Sequence, residues 1–243
     1  MPGSLDSLVE RLRKALSADL ISVVLYGSAA AGDHDPKFSD YNVLCVLNSI
    51  TPAQLGATEA IFRWWQEQGN PSPLLLTEHE VETSTDCFPI EFEDIKAHHR
   101  ILYGTDVVSS IAIDRCFYRA QVEHDLRAKL LRLRQKASGI LSDKTMLLRL
   151  MVDSISTFCV LFRHALILHG AENGEVPWKK RDVIARVQAR FGIDPAPFET
   201  LLDHREQRGK SKESEPAALL AAYMNEIGRV IDAVDVLEKG ISR

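Results

Sequence analysis

The stretch Leu25-Tyr26-Gly27-Ser28, followed after eleven intervening residues by Asp40-Tyr41-Asn42-Val43-Leu44, decides the fold of this chain. Ile21–Tyr26 is a short run of β-branched and apolar residues and Tyr41–Leu47 is a second, so each predicts a buried strand. We expect Gly27-Ser28 to end the first strand. Asp33–Ser39, which contains a proline, then predicts a loop that leads into the second strand.

The residue types at these two strand ends suit the binding of a phosphate and a divalent cation. Gly27 has no side chain, so a phosphate can approach its backbone, and Ser28 with the amides that follow can hold phosphate oxygens. Asp40 and position 42 are two apart, and alternate residues of a strand point to one face. Oxygen ligands in such a pair are of the kind that Mg²⁺ prefers.

The rest of the first half alternates predicted helices and strands. Helical spacing of leucines predicts a helix ending near Leu16, and further helices are expected over Pro52–Gln68 and from a capping box at Thr77–Glu80. Leu74–Leu76 predicts a short strand between them. This order predicts a small sheet covered by helices.

Glu91 is the candidate for a third site residue. Phe88–Ile95 alternates apolar and acidic residues, which predicts a strand carrying Glu91, with Glu93 as its substitute on the same face. A carboxylate on a neighbouring strand could complete a metal site or take the proton from an attacking hydroxyl.

These motifs resemble the signature of the DNA polymerase-beta-like nucleotidyltransferase superfamily. In that superfamily a strand ends in Gly-Ser, a short helix and a loop follow, the next strand carries Asp-x-Asp, and a later strand supplies a third carboxylate. Leu102-Tyr103-Gly104 also resembles the sequence after that strand in the aminoglycoside nucleotidyltransferase-like branch. The resemblance covers roughly the first hundred residues, with a looser similarity in the helical half.

The resemblance implies a Mg²⁺-dependent transfer of a nucleoside monophosphate from a nucleoside triphosphate to a hydroxyl of a small-molecule acceptor. Asp40 and Glu91 would be catalytic, and Gly27 and Ser28 would bind the nucleotide. Asp40, Asn42 and Glu91 would bind the metal, and two ions about 3.5–4 Å apart would stabilise the attacking and leaving oxygens.

Two residues depart from the family pattern. Asn42 replaces the second aspartate, and one carboxylate fewer weakens a two-ion site. Ala31 stands where members often carry a basic residue before a glycine. A second hypothesis is therefore a nucleotide-binding pseudoenzyme on the same fold.

The second half shows only helical periodicity from about Arg115 onward, which predicts an up-and-down bundle. We expect an α/β (α+β) nucleotidyltransferase domain with a small mixed sheet over residues 1–112 and an all-α helical bundle over residues 113–243. Arg163 and His169 match the Arg-x(4–6)-His pattern of HEPN domains, some of which are ribonucleases. A third hypothesis is therefore an HEPN-type ribonuclease that uses these two residues.

Composition narrows the class of protein. The chain has 243 residues, of which 45% are hydrophobic, and its net charge of −5 gives no global attraction for nucleic acid. Its four cysteines are scattered without a Cys-x-x-Cys pair, which suits a reducing cytoplasm. Apolar Phe158–Leu168 is short and interrupted by Arg163 and His164, so we predict no membrane span. The expected partners are a nucleoside triphosphate and a small-molecule acceptor, without nucleic acid; the acceptor's identity and homodimerisation stay open.

Overall fold

The computed structural model describes residues 2–32, 40–171, 175–206 and 215–237, and the chain divides into two compact units. The first unit ends at Phe117 and the second begins at Tyr118. The loop predicted over residues 33–39 lies outside the described residues.

The first unit is built on a four-stranded mixed sheet, which confirms the predicted sheet. Its strands are β1 (Leu20–Tyr26), β2 (Asn42–Leu47), β3 (Leu74–Thr77) and β4 (His99–Gly104), in the spatial order β3-β2-β1-β4. β1 is antiparallel to both β2 and β4, and β2 is parallel to β3. The C-terminal end of β1 and the N-terminal ends of the other three strands therefore lie at the same end of the sheet.

Helices cover both faces of this sheet. The helices α1 (Pro2–Leu16) and α2 (Pro52–Glu67) pack on one face, where they bury Leu25 and Val43. The helices α3 (Glu78–Thr83) and α4 (Pro89–Ala97) pack on the other face, over Val24 and Leu44. Since strand residues alternate between faces, Tyr26 and Asn42 belong to the face that α3 and α4 cover.

The strand predicted over Phe88–Ile95 is wrong, because this segment forms α4. Pro89 occupies the start of the helix, where its fixed φ is favourable and its missing N–H costs no hydrogen bond. The apolar and acidic alternation was misleading for two reasons. Glu93 is buried through an ion pair with Arg115, whereas Phe88 is half exposed, so burial does not follow polarity in this segment.

The second unit is all-helical, as predicted. Its helices are α5 (Tyr118–Ser138), α6 (Lys144–Leu168), α7 (Lys180–Phe191), α8 (Ala196–Glu206) and α9 (Pro216–Asp235). The prediction missed α8, although Phe198, Leu201 and Leu202 are buried at helical spacing within it. This short pattern was obscured by the prolines at positions 195 and 197 and by the charged segment that follows α8.

The central helix of this unit is α6, which packs against α5, α7, α8 and α9. By length and composition it could cross a membrane, which the prediction overlooked by considering only its last eleven residues. Within the unit its apolar side chains pack against the other helices, and it buries both Arg163 and His164.

Candidate active site

The first component of the candidate site is the glycine turn at the end of β1. Gly27 has a φ of +76° and is followed by a single 3-10 turn, Gly27–Ala29. The amides of Ala30 and Ala31 both donate to the Gly27 carbonyl at 3.0 Å, and the Gly27 amide donates to the His98 carbonyl at 3.1 Å. The left-handed backbone explains why glycine is required here, and the hydrogen bonds fix the turn against the start of β4.

The second component is the start of β2. Asn42 is its first residue and pairs with Tyr26 of β1, so it lies beside the glycine turn. A Cβ atom added to Gly27 would lie 3.4 Å from the Asn42 Nδ2 atom. Asp40 is exposed just before the strand, and the amide of Tyr41 between them donates to the Asn70 Oδ1 atom at 3.1 Å. The structure therefore places Asn42 beside the Gly27 turn, with Asp40 two residues earlier in the chain and outside the strand.

The third component is α4, which reaches this end of the sheet although it is a helix. It packs beside the Gly27–Ala29 turn, and its end is joined to that turn by hydrogen bonds. The His98 amide donates to the Asp94 carbonyl at 3.3 Å, and the His98 carbonyl accepts from the Gly27 amide. Glu91, in the first turn of α4, is exposed on the same helix.

The pKa of Tyr26 reflects the negative charges near the end of β1. Burial, followed by the negative charges of Glu91 and Asp94, raises the pKa of the Tyr26 hydroxyl to about 12. Glu91 and Asp94 are three residues apart, and residues at this spacing share one side of a helix. The structure thus brings Glu91 towards the end of β1 from a helix and adds Asp94, which the sequence analysis missed. A helical interpretation of residues 89–97 would have placed both acids together.

Glu93, the predicted substitute for Glu91, does not reach this region. Its side chain is 4% exposed and its Oε1 atom lies 2.6 Å from the Arg115 Nη2 atom. Glu93 lies on the buried side of α4, so its side chain packs inward. There Arg115 neutralises its charge. We assign Glu93 a role in stability.

The predicted ligands for a divalent cation are the exposed carboxylate of Asp40, the amide oxygen of Asn42 and the carboxylate of Glu91. β3, the strand beside β2, reads Leu-Leu-Leu-Thr over Leu74–Thr77 and offers no carboxylate. In the part of the chain that the structure describes, no group of three or more His, Cys, Asp and Glu side chains could hold a metal ion. With so few carboxylates, a divalent cation at this position would need further oxygen ligands from a bound molecule.

The residues of the ribonuclease hypothesis have packing roles in the second unit. Arg163 is 2% exposed, and its guanidinium carbon lies 3.4 Å from the centre of the Trp178 ring. His169 packs edge-on against Phe191, and burial, followed by the nearby Arg190, lowers the pKa of its imidazole. A buried arginine stacked on tryptophan is poorly placed to contact RNA, so the geometry does not favour this hypothesis.

No family model matches the sequence, and no curated protein matches it. Among solved structures, the chain is similar to the spectinomycin adenyltransferase AAD(9) from Enterococcus faecialis, determined with ATP and spectinomycin. The TM-score is 0.58 at 14% sequence identity, and the match covers 93% of this chain and 98% of that chain. An identity this low establishes similarity of fold alone. The chain therefore has the fold of a nucleotidyltransferase.

Proposed function

We propose that this protein transfers a nucleoside monophosphate from a nucleoside triphosphate to a hydroxyl of a small-molecule acceptor. The observation that carries the proposal is the left-handed Gly27 turn at the end of β1, directly beside Asn42 and near Asp40 at the start of β2. The similarity in fold to an adenyltransferase that was solved with ATP and spectinomycin supports the same class of reaction.

Each residue has a proposed role. The backbone at Gly27 and the hydroxyl of Ser28 hold phosphate oxygens of the triphosphate. Asp40 and Asn42, with Glu91, would hold the Mg²⁺ that accompanies the triphosphate, and the bound ion would neutralise charge that develops on the phosphates. Glu91 accepts the proton from the acceptor hydroxyl as that oxygen attacks the α-phosphorus, and pyrophosphate leaves.

The position of Glu91 on a helix determines which atoms its carboxylate can reach. Its side chain extends from the first turn of α4, so its reach depends on how α4 packs rather than on strand register. The hydrogen bonds that join Asp94, His98 and Gly27 hold that packing. Asp94 adds a second negative charge near the end of β1, where it acts on Tyr26 together with Glu91.

Asp40→Asn tests the proposal. We expect it to lower pyrophosphate release from Mg²⁺·ATP or Mg²⁺·GTP, in the presence of an acceptor, by about 100-fold or more. Asp6→Asn is the matched control, because Asp6 is an exposed aspartate on α1, on the opposite face of the sheet. Turnover that survives Asp40→Asn would refute the assignment.

A nucleotide-binding pseudoenzyme is the second candidate, favoured by Asn42 and by the absence of an acid in β3. It predicts Mg²⁺-dependent binding of ATP by isothermal titration without release of pyrophosphate for any acceptor. Acceptor-stimulated release by the natural sequence would exclude this candidate. The cytoplasmic location and a possible homodimer stay predictions.

A further inference from the structure

A second cleft in the first unit lies away from the Gly27 turn. It has a volume of about 450 Å³ and is lined by Glu10, Arg13 and Lys14 of α1, by Ser17 just after α1, and by Tyr103 of β4. Tyr103 pairs with Val23, whereas the Gly27 turn follows Tyr26, which pairs with His99 at the other end of β4. The cleft is thus separate from the candidate active site, and its volume is within the range of small-molecule sites, about 300–1,000 Å³.

The cleft carries two cations and one carboxylate. The guanidinium carbon of Arg13 lies 4.9 Å from the centre of the Tyr103 ring, and this stacking holds the side chain in place. Glu10 and Lys14 are four residues apart, yet among the described residues neither forms an ion pair, nor does Arg13. The charged groups of the cleft are therefore available to a ligand, and one of them is already ordered.

Ser17 adds an observation about the backbone. Its φ is +48°, and among the described residues it is the only non-glycine with a positive φ. This position follows the end of α1, where a helix usually places glycine because a side chain strains a left-handed backbone. A serine at this position therefore carries a cost in stability, and Ser17 is one of the residues that line the cleft.

We propose that this cleft binds a phosphate ester that also carries free hydroxyls, such as a sugar phosphate. Arg13, Lys14 and the hydroxyls of Ser17 and Tyr103 are donors for phosphate oxygens. Glu10 and the last carbonyls of α1 are acceptors for the ligand's hydroxyls. Because the C-terminal end of a helix repels a bare anion, the hydroxyl part of the ligand is needed for tight binding.

Isothermal titration with glucose 6-phosphate, glucose and inorganic phosphate tests this assignment. The natural sequence is expected to bind glucose 6-phosphate at least about tenfold more tightly than either glucose or inorganic phosphate, since only the ester uses both kinds of group. Arg13→Gln and Lys14→Gln should each weaken that binding about tenfold, the effect of one lost charge-assisted hydrogen bond. Equal binding of inorganic phosphate and the ester would overturn the proposed ligand class.

Arg11→Gln is the matched control. Arg11 is also on α1 and also stacks on an aromatic ring, with its guanidinium carbon 4.3 Å from the centre of the Trp64 ring, but it does not line the cleft. We expect the Arg11→Gln variant to bind glucose 6-phosphate with unchanged affinity. Equal weakening by Arg11→Gln and Arg13→Gln would show a general charge effect and overturn the site, as would no detectable binding by the natural sequence.

Ser17→Gly separates function from folding, because the two effects should have opposite signs. Glycine relieves the left-handed strain and should raise Tm by about 2 °C. It also removes a phosphate donor and should weaken binding of glucose 6-phosphate about threefold. A variant that gains stability and keeps full affinity would show that Ser17 only ends the helix, and would remove it from the site.

Discussion

The two ends of the β1–β4 pair both depend on a glycine in the left-handed conformation, but for different reasons. Gly27 has a φ of +76° and Gly104 a φ of +79°. A Cβ atom added at Gly27 would meet only the Asn42 side chain, at 3.4 Å, among the described residues. A Cβ atom added at Gly104 would lie 1.9 Å from the backbone oxygen of Ile21.

Gly104 is required by the packing of two backbones, whereas Gly27 lies at the candidate site. At Gly104 the backbones of β1 and β4 approach too closely for any side chain, and the Thr105 amide continues the contact by donating to the Ile21 carbonyl at 3.3 Å. At Gly27 the neighbouring atom belongs to a side chain, which can move. We therefore expect substitutions at position 104 to change folding and substitutions at position 27 to change ligand binding.

Gly104→Ala should have the largest effect on stability. The methyl group would overlap the Ile21 carbonyl, and alanine is strained at this φ, so the free energy of unfolding should fall by about 4 kcal/mol or more. Urea unfolding followed by circular dichroism measures the loss.

Gly69→Ala is the control for this prediction. Gly69 has a φ of +87°, but no atom of the residues that the structure describes lies within 4 Å of a Cβ added there. It should lose only the strain of the left-handed backbone, about 1–2 kcal/mol. Equal losses for the two variants would mean that the close approach of β1 and β4 contributes nothing.

Gly27→Ala should have the next largest effect, on nucleotide binding. The added methyl group stands where a phosphate is proposed to approach the backbone, so the affinity for Mg²⁺·ATP should fall about 30-fold. The fold should lose no more than Gly69→Ala does. If the affinity for ATP is unchanged while stability falls, the Gly27 turn is a structural strand end and not a phosphate site.

Much of this site could be predicted because its information is local. The glycine turn and the two strands beside it follow from residues 21–47, where β-branched runs are interrupted by Gly27 and by the loop. The position of Glu91 could not be predicted in the same way. The segment that carries it becomes a helix because Pro89 favours a helix start and because Arg115, more than twenty residues later, neutralises buried Glu93.

The role of Gly104 was equally hidden from the sequence. In the sequence, Leu102-Tyr103-Gly104 indicates only a family resemblance, whereas glycine is required at position 104 because of the Ile21 carbonyl on a distant segment. Tertiary contacts of this kind decide a conformation without leaving a periodic pattern. The missed helix α8 has the opposite cause, since its pattern is present but short.

Asn42→Asp introduces a second acid at the Gly27 end of the β1–β4 pair. The carboxylate would lie beside the glycine turn and add a charged oxygen ligand, so Mg²⁺-dependent affinity for ATP should increase about tenfold. Titration with and without Mg²⁺ measures this. The charges of Glu91 and Asp94 near Tyr26 oppose a further anion, so the gain should vanish without the metal. Tighter binding in the absence of Mg²⁺ would contradict a metal role for position 42.

Asp106→Asn gives the smallest expected effect, and it depends on pH. Asp106 follows the Gly104 end, where its carboxylate accepts hydrogen bonds from the hydroxyl and amide of Ser109 and from the amide of Val108. The Ser109 hydroxyl, followed by the Ser109 amide, lowers the pKa of Asp106 from 3.8 to about 2. The carboxylate therefore stabilises the fold at any pH above 3.8, the ordinary pKa of the group, and this contribution is lost as the pH falls towards 2.

The side chain of Asp106 is 41% exposed, so solvent screening limits its contribution to less than about 1 kcal/mol at pH 7. Asp106→Asn should lower the free energy of unfolding by that amount at pH 7 and at pH 5. The difference from the natural sequence should then shrink between about pH 4 and pH 2, because the natural carboxyl group becomes protonated and loses the same interaction. A difference that stays constant down to pH 2.5 would show that the turn depends on the shape of the side chain and not on its charge. The Gly104 end would then owe its rigidity to the approach of the two backbones.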